Sequence, residues 1–240
     1  NEMGKIDDIQ AYKEWTEYHR SLKRDKAADN LSPVERKKKL EKLEANVIEW
    51  ILFFFSEFAK YPFTKFHKKA IKRITTNMEW YEVLSWSREL AKSTIVFMCM
   101  MYLVLTGKKR NVLLISNSHE NAVRLLEPYK KAFESNSMLK AYYGDLREFG
   151  SWTADEFTLT TGATFRAIGA LESPRGTRKD AVRPDTALVD DFDTDADCRN
   201  PDILKKKWEW FEEALFPTRS ISEDLLVIFC GNLIALDCCV

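Results

Sequence analysis

Ser85-Trp86-Ser87-Arg88-Glu89-Leu90-Ala91-Lys92-Ser93-Thr94 is the stretch that decides the fold. It follows a short apolar run, Trp80 to Leu84, and it opens a longer apolar segment, Ile95 to Leu105. A strand, a tight loop ending in Lys-Ser-Thr and a helix form a phosphate-binding loop, in which backbone N–H groups and the positive end of the helix dipole face an anion. In such a loop the lysine supplies a point charge and the hydroxyl after it can ligate Mg²⁺.

The stretch departs from the usual phosphate-loop pattern, G-x-x-x-x-G-K-[ST], at both glycines. Trp86 and Ala91 stand in the glycine positions. An ordinary strand-to-helix junction with a Lys-Ser-Thr cap would give the same tripeptide without binding a nucleotide. The residues downstream decide between these two interpretations.

The composition sets broad limits on function. The chain has 240 residues, with 37 basic and 37 acidic side chains, so its global charge gives no support for nucleic-acid binding. The five cysteines form no C-x-x-C pair and the three histidines are scattered, so no zinc-ligand spacing exists. The N-terminus has no signal-peptide pattern, and the most apolar run, residues 50–55, is shorter than the roughly 20 residues that span a bilayer.

Residues 1–60 are charge-rich and predict an N-terminal helical segment, ahead of a core over residues 61–240. Ser32-Pro33 marks a helix start. One apolar stripe at helical spacing follows it, made of Val34, Leu40, Leu43, Val47, Ile48, Ile51, Leu52 and Phe55. Pro62 breaks the helix, which restarts near Thr64. The aromatic residues there, Phe66 among them, either pack on an adenine ring or pin the N-terminal helices onto the core.

Strands and helices alternate along the rest of the chain. Apolar runs at residues 111–117, 186–189 and 225–230 predict buried strands, and residues 157–168 predict a hairpin around Gly162. Ser118 and Asn200 are each expected to cap a helix. This alternation predicts an α/β fold, with a mostly parallel sheet flanked by helices on both faces.

Asp190-Asp191 follows the strand at residues 186–189 directly. An apolar strand ending in two acids is the expected second half of an ATPase site, where the first acid holds Mg²⁺ and the next acts on the attacking water. A capped strand-to-helix loop is the alternative. Lys92-Ser93, then Asp190-Asp191, then a strand ending in Gly231-Asn232 stand in the right order on the right elements, which favours nucleotide hydrolysis.

In these motifs the chain resembles the ATPase domain of the large terminase subunit, the DNA-packaging motor of tailed bacteriophages. That family commonly replaces the first glycine of the loop and carries an arginine four residues before the lysine, here Arg88. Its other motifs are matched by Arg175-Gly176, by residues 187–191 and by residues 230–232. Ala91 departs from the family's glycine, and Asp191 departs from the glutamate that usually follows the metal acid.

The resemblance implies a P-loop NTPase core that binds ATP and Mg²⁺. The nucleotide-binding residues would be Ser87, Arg88, Glu89, Leu90, Ala91, Lys92, Ser93, Thr94 and, on the base, Phe66. Lys92 would contact the β- and γ-phosphates, and Arg88 would sense the γ-phosphate. Ser93 and Asp190 would hold the metal.

The remaining roles follow from the same resemblance. Asp191 is the expected catalytic base, and Asp193 is the alternative. Arg175 is the candidate arginine finger supplied to a neighbouring subunit, with Arg178 second; a basic loop that only meets DNA phosphate or solvent is the other interpretation. Gly231 and Asn232 would couple the state of the γ-phosphate to the part that grips DNA.

The implied function is ATP-driven translocation of double-stranded viral DNA into a procapsid in the host cytoplasm. The implied partners are the portal protein, the small terminase subunit and further copies of the chain in a homo-oligomeric ring, with no membrane. The family's C-terminal nuclease domain is expected to lie outside this fragment, so we expect no DNA cleavage from it. A helicase-like P-loop motor and a nucleotide-binding assembly scaffold without turnover are the alternatives.

Overall fold

The structure is a computed structural model that describes residues 17, 31–58, 62–87, 90–173, 183–215, 217, 224–231 and 239. Five residues given roles above lie outside the described residues: Arg88, Glu89, Arg175, Arg178 and Asn232. None of the described helices combines the length and the apolar composition that a membrane span requires.

The described helices and strands alternate as the sequence predicts. The helices are α1 (Pro33–Glu44), α2 (Val47–Phe54), α3 (Lys65–Thr76), α4 (Lys92–Leu105), α5 (His119–Ser135), α6 (Ser137–Tyr143) and α7 (Pro201–Glu209), with a 3₁₀ turn at Asp197–Arg199 and a π-helical turn at Trp210–Leu215. The strands are β1 (Trp80–Leu84), β2 (Asn111–Ser116), β3 (Arg147–Trp152), β4 (Glu156–Leu159), β5 (Thr164–Gly169), β6 (Thr186–Asp190) and β7 (Leu226–Cys230).

The strands form one seven-stranded sheet in the order β1-β7-β6-β2-β5-β4-β3. The first five of these are parallel, and β4 pairs with β5 and β3 in antiparallel fashion. Leu84 and Asp190 both pair with Cys230, so β1, β7 and β6 end at the same level. The predicted α/β fold with a mostly parallel sheet is confirmed.

Both faces of the sheet are covered, because successive side chains of its buried strands point to opposite sides. In β7, Leu226, Ile228 and Cys230 belong to the core cluster that also contains α4 and α5, whereas Val227 and Phe229 belong to a second cluster with Phe211 of the π-helical turn. The central strands therefore read as continuous apolar runs rather than as alternating ones.

Polar caps fix where the helices begin. Ser32 forms a capping box with Glu35 at the start of α1. Ser118 accepts a hydrogen bond from the backbone of Asn121 in α5, and Asn200 accepts one from Asp202 in α7. Each cap satisfies a backbone N–H that the helix leaves unpaired, which confirms these predicted helix starts.

The predicted apolar stripe over residues 34–55 does not lie on one continuous helix, although its members other than Val34 pack into one core. The chain forms two helices there, because Asn46 accepts hydrogen bonds from the backbone N–H groups of Ile48 and Glu49 and so starts a new helix. Val34, which the stripe would bury, is 65% exposed, and the buried residues are concentrated in α2. Since α2 packs into the same core as α4, the first helices are part of the core; the predicted division at residue 60 stays a prediction.

Lys109 fastens the edge of the sheet where the parallel strands begin. Its Nζ donates hydrogen bonds to the carbonyl oxygens of Met78, Asp185 and Asp224 at 2.9, 3.0 and 2.7 Å. These residues lie one or two positions before β1, β6 and β7, and the Lys109 side chain is buried. One ammonium group therefore joins three strand starts that are distant in the sequence.

Replacing Lys109 with Met is expected to lower the free energy of unfolding by about 3 kcal/mol, because it leaves buried carbonyl groups without a charged donor. Urea unfolding followed by circular dichroism measures this. Lys108→Met is the matched control, since Lys108 is exposed and its loss should change stability by less than about 1 kcal/mol. Equal stability losses in the two variants would contradict the role of Lys109.

Candidate nucleotide site

The three sequence motifs converge at the carboxyl edge of the parallel strands. β1 runs into the phosphate loop, β6 ends at Asp190, and β7 lies between them and ends at Cys230. Open α/β sheets bind their ligands at this edge. The topology therefore brings together residues that are more than 130 positions apart in the sequence, such as Lys92 and Gly231, which hydrogen-bond across 139 positions.

Lys92 is the first helical residue of α4 and is buried. Its Nζ donates to the carbonyl oxygen of Trp86 at 2.5 Å and to that of Gly231 at 2.7 Å. Trp86 opens the loop and Gly231 ends the strand beside it, so the ammonium group connects both sides of the predicted phosphate site. Ser87 and Leu90 are exposed on the same loop, where the Leu90 N–H donates to the Ser87 carbonyl at 3.1 Å, and Thr94 is half-buried in the first turn of α4.

Ala91 adopts the backbone conformation for which the usual pattern has glycine. Its φ of 57° and ψ of 32° lie in the left-handed region, and its carbonyl accepts the first helical hydrogen bond of α4, from Ile95. A residue with a Cβ is strained there by roughly 1–2 kcal/mol. Ala91 therefore keeps the left-handed conformation at this position although it is not a glycine.

Ala91→Gly is accordingly expected to stabilise the protein by about 1 kcal/mol, because glycine enters the left-handed region without strain and this gain exceeds its entropic penalty. Ala141→Gly, inside α6, is the matched control and should destabilise it by a similar amount. Urea titration of both variants measures the changes. A loss of stability in Ala91→Gly would show that the left-handed conformation is not what this position requires.

Ser93 and Asp190 form the centre of the site. Ser93 Oγ donates to Asp190 Oδ2 at 2.7 Å. Two neighbouring ligands of an octahedral Mg²⁺, each at 2.0–2.1 Å from the ion, lie about 2.9 Å apart. A hydroxyl and a carboxylate at this spacing fit Mg²⁺, which usually takes one or two protein ligands and completes its shell with phosphate oxygens and water.

The electrostatics of Asp190 suit a group that receives a cation. Burial raises the pKa of its carboxyl to about 6, the hydrogen bond from Ser93 opposes the shift, and the neighbouring charge of Asp191 adds to it. The Lys92 ammonium is close enough to lower the pKa slightly. A buried carboxylate with a raised pKa carries a charge that the protein only partly compensates, and a bound metal ion would compensate the rest.

The two candidate bases have different environments. Asp191 is exposed, and its charge is close enough to act on Asp190. Asp193 is only 6% exposed, and its Oδ2 accepts a hydrogen bond from the backbone N–H of Cys239 at 2.6 Å. An acid that takes a proton from an attacking water has to reach that water, so this geometry favours Asp191 over Asp193.

Phe66 lies beside the loop in an aromatic cluster with His67 and Trp86. Its ring centroid is 4.1 Å from that of His67 and 4.9 Å from that of Trp86, and Phe66 is 38% exposed. His67 Nδ1 accepts from the Thr64 N–H at 3.3 Å, which leaves Nε2 to donate to the Leu90 carbonyl at 3.2 Å. Burial lowers the pKa of His67, with the Leu90 carbonyl opposing the shift. The cluster ties α3 to the phosphate loop and keeps part of an aromatic ring accessible beside it.

Two residues at this edge were missed in the sequence. Asn117 follows β2, and both its backbone N–H and its side-chain amide donate to the carbonyl of Asp191. Lys207, in α7, donates to the carbonyl of Phe192. A polar residue directly after a strand that neighbours β6 was a signal for Asn117, whereas no signal distinguished Lys207 from the two lysines that precede it in the sequence.

Comparison with known proteins gives a match at the level of structure. No protein-family model matches the chain, and no curated protein matches it. The large terminase ATPase domain of Thermus phage P74-26 matches with 16% identity and a TM-score of 0.45, covering 74% of this chain and 67% of that one. An arginine-to-alanine mutant of the same domain matches with 14% identity and a TM-score of 0.46, covering 74% and 68%. This chain is therefore similar in structure, over about three quarters of its length, to that ATPase domain.

Proposed function

We propose that this chain binds Mg²⁺ and ATP at the carboxyl edge of its sheet and hydrolyses the γ-phosphate. The observation that carries the proposal is the 2.7 Å hydrogen bond between Ser93 and Asp190. It joins the first turn of α4 to the end of β6, and these are the hydroxyl and the carboxylate that the motifs assign to Mg²⁺.

The start of α4 supports a triphosphate beside that pair. The helix has no side-chain cap and no acidic residue in its first turn, so its first N–H groups and the positive end of its dipole face the loop. Lys92 adds a full positive charge at the same place. These groups attract the β- and γ-phosphates, and Mg²⁺, when bound, neutralises charge on the phosphate oxygens.

In the proposed reaction Asp191 accepts a proton from a water molecule. The water oxygen forms a bond to the γ-phosphorus, the bond between that phosphorus and the β–γ bridging oxygen breaks, and ADP leaves with inorganic phosphate. An aspartate reaches one methylene less far than the family's glutamate, so the water has to lie closer to the backbone of β6. At the other end of the nucleotide, the partly exposed ring of Phe66 is proposed to pack against the adenine ring.

The bond from Lys92 to Gly231 supports the proposed coupling role of the Gly231-Asn232 motif. A γ-phosphate that draws the Lys92 ammonium toward itself weakens its hydrogen bond to the Gly231 carbonyl at the end of β7. Loss of the phosphate restores that bond. The state of the nucleotide would thereby be passed to the segment that follows β7.

The motor function rests on the resemblance in sequence motifs. We propose that the chain works in a homo-oligomeric ring on the portal protein, with the small terminase subunit, and moves double-stranded DNA into the procapsid. Arg175, or Arg178 in its place, would complete the site of a neighbouring subunit. The stem that leads to this basic loop, Gly169 to Glu172, begins at the same carboxyl edge as the site, and Glu172 is fixed there by hydrogen bonds from the Gly169 N–H and, through its carbonyl, from Trp210.

Steady-state release of phosphate from Mg·ATP tests the proposal, with wild type beside Lys92→Ala over a range of protein concentrations. We expect turnover that rises more than linearly with protein, because a site shared between subunits forms only in the assembly, and a loss of about 10²-fold in Lys92→Ala. Lys108→Ala is the matched control, since Lys108 lies away from the site at the other end of α4.

The contrary result is equally informative. ATP that binds without turnover at any concentration would favour the assembly scaffold over the motor. Turnover stimulated by single-stranded nucleic acid rather than by portal protein would favour a helicase-like motor.

A further inference from the structure

Asp191 is held in an unusual backbone conformation. Its φ is +46°, in the left-handed region that a residue with a Cβ enters only at some energetic expense. Its N–H donates to the Cys230 carbonyl at 3.3 Å, and its own carbonyl accepts from the Asn117 N–H at 3.3 Å and from Asn117 Nδ2 at 2.9 Å. The peptide planes on both sides of Asp191 are therefore fixed, one from β7 and one from the end of β2.

The Asn117 amide is itself held in the required orientation. Its Oδ1 accepts a hydrogen bond from Asn121 Nδ2 at 2.9 Å, which leaves Nδ2 to face Asp191. Asn121 lies in the first turn of α5, and Ser118 caps that turn. The contact from Asn117 to Asp191 thus depends on a fixed side chain rather than on a freely rotating one.

Lys207 restrains the peptide group between Phe192 and Asp193. Its Nζ donates to the Phe192 carbonyl at 2.5 Å and to Asp197 Oδ2 at 2.6 Å, and it lies 5.0 Å from the centre of the Phe192 ring. The side chain is 3% exposed. Burying an ammonium group is unfavourable unless its partners compensate, and all the partners named here belong to the segment that directly follows Asp191.

We propose that Asn117 and Lys207 are positioning residues that fix the direction in which the Asp191 side chain leaves the backbone. Once φ and ψ of a residue are set, its Cα–Cβ bond has one direction. The Cys230 carbonyl and Asn117 restrain the peptides before and after Asp191, and Lys207 restrains the following peptide, so that the turn holds its conformation. In a continuing strand, Asp191 would point to the face opposite Asp190; the left-handed turn breaks that alternation. The proposal rests on the proposed function, in which Asp191 is the base.

The test uses the full chain and separates turnover from nucleotide binding. Asn117→Ala and Lys207→Met are each expected to lower kcat for Mg·ATP hydrolysis by about 10- to 100-fold, since a misplacement of about 1 Å can reduce a rate this much. The KM and the equilibrium affinity for a fluorescent ATP analogue should stay within about twofold, because neither side chain belongs to the phosphate loop. Lys206→Met, an exposed neighbour of Lys207 in α7, is the matched control and should leave kcat unchanged.

A double-mutant cycle distinguishes positioning from a general structural effect. With Asp191→Asn already present, Asn117→Ala should lower kcat no further, because it acts through the Asp191 carboxylate. A kcat loss that multiplies in the double variant would overturn the proposal. A wild-type kcat in both single variants would also overturn the proposal. Asn117 is half-buried, so Asn117→Ala gives this test even if Lys207→Met does not fold.

Asn117 and Lys207 together are called the clamp on Asp191. Failure of the clamp and failure of the proposed function give different results. If Asp191→Asn abolishes turnover while Asn117→Ala and Lys207→Met keep full kcat, the clamp fails and the function stands. If Asp191→Asn keeps the wild-type kcat, Asp191 is not the base, and a clamp that aims it fails as well.

Discussion

Asp191→Asn is expected to lower kcat for ATP hydrolysis by about 10³-fold, while Asp193→Asn stays within about threefold of wild type. The amide is almost isosteric with the carboxylate but cannot accept the proton of the attacking water. Asp191 is exposed at the carboxyl edge, where its charge acts on Asp190. Asp193 is 6% exposed and is engaged by the backbone N–H of Cys239, so it has no access to a water beside the phosphates.

Phosphate release at saturating Mg·ATP measures both variants, and binding of a fluorescent ATP analogue confirms that each still takes up nucleotide. Asp193→Asn is the matched control, because the substitution is chemically identical and only two positions away. A large kcat loss in Asp193→Asn together with little change in Asp191→Asn would reverse the assignment of the base. Unchanged turnover in both would show that the base is neither of these two acids.

The convergence of the site could be predicted because parallel strands present their carboxyl ends at one edge of the sheet. Lys92, Asp190 and Gly231 each follow or end an apolar run that the sequence shows clearly. Once those runs are placed in one parallel sheet, the residues that follow them have to lie at the same edge. The hydrogen bonds from Lys92 to Gly231 and from Ser93 to Asp190 follow from that placement.

The clamp on Asp191 could not be predicted, because the atoms that Asn117 and Lys207 contact are backbone carbonyls. Every residue has a backbone carbonyl, so the amino-acid sequence does not show which carbonyl group will need a side-chain donor. Lys207 has lysines on both preceding positions, and only the packing of α7 buries it and not the others. Local sequence can show which residue types are available but not which of them the tertiary fold buries.

The left-handed conformation of Ala91 lies between these two cases. The phosphate-loop pattern marks its position as one that favours glycine, but an alanine there leaves open whether the loop keeps its path. In the structure Ala91 adopts the left-handed conformation and is strained by it. The break between α1 and α2 was missed for a related reason: the apolar spacing continues across Asn46, and only its side-chain hydrogen bonds show that a new helix begins there.

Asp190→Asn is expected to make the metal-free protein more stable and, in the presence of Mg·ATP, to lower kcat by about 10³-fold. Burial raises the pKa of Asp190 to about 6, above the value near 3.8 that an unfolded aspartate has. The folded state therefore binds a proton more tightly between those values, and stability falls as the pH rises from about 4 to about 6. Above pH 6 the charged carboxylate stays unfavourable by about 3 kcal/mol, at about 1.4 kcal/mol per pKa unit. Asparagine has no charge to bury and can still accept the hydrogen bond from Ser93.

Urea unfolding in EDTA at several pH values tests the stability half of this prediction. At pH 8 Asp190→Asn should exceed wild type by about 2–3 kcal/mol, and the difference should narrow as the pH falls toward 4.5, because wild-type Asp190 then becomes neutral as well. Ser93→Ala is the matched control: it removes the hydroxyl that favours the charged form, so it should widen the pH dependence rather than abolish it.

Asp190→Asn is expected to lower kcat although it raises stability. The carboxylate that is unfavourable in the metal-free protein is the group that a bound cation stabilises. Adding Mg²⁺ and ATP should raise the unfolding temperature of wild type more than that of Asp190→Asn, and kcat of the variant should fall by about 10³-fold. A variant that is destabilised at pH 8 would contradict the burial of an uncompensated charge. A variant that keeps its turnover would instead remove Asp190 from the metal site, and the partial burial of its carboxylate at the end of β6 would then need an explanation other than metal binding.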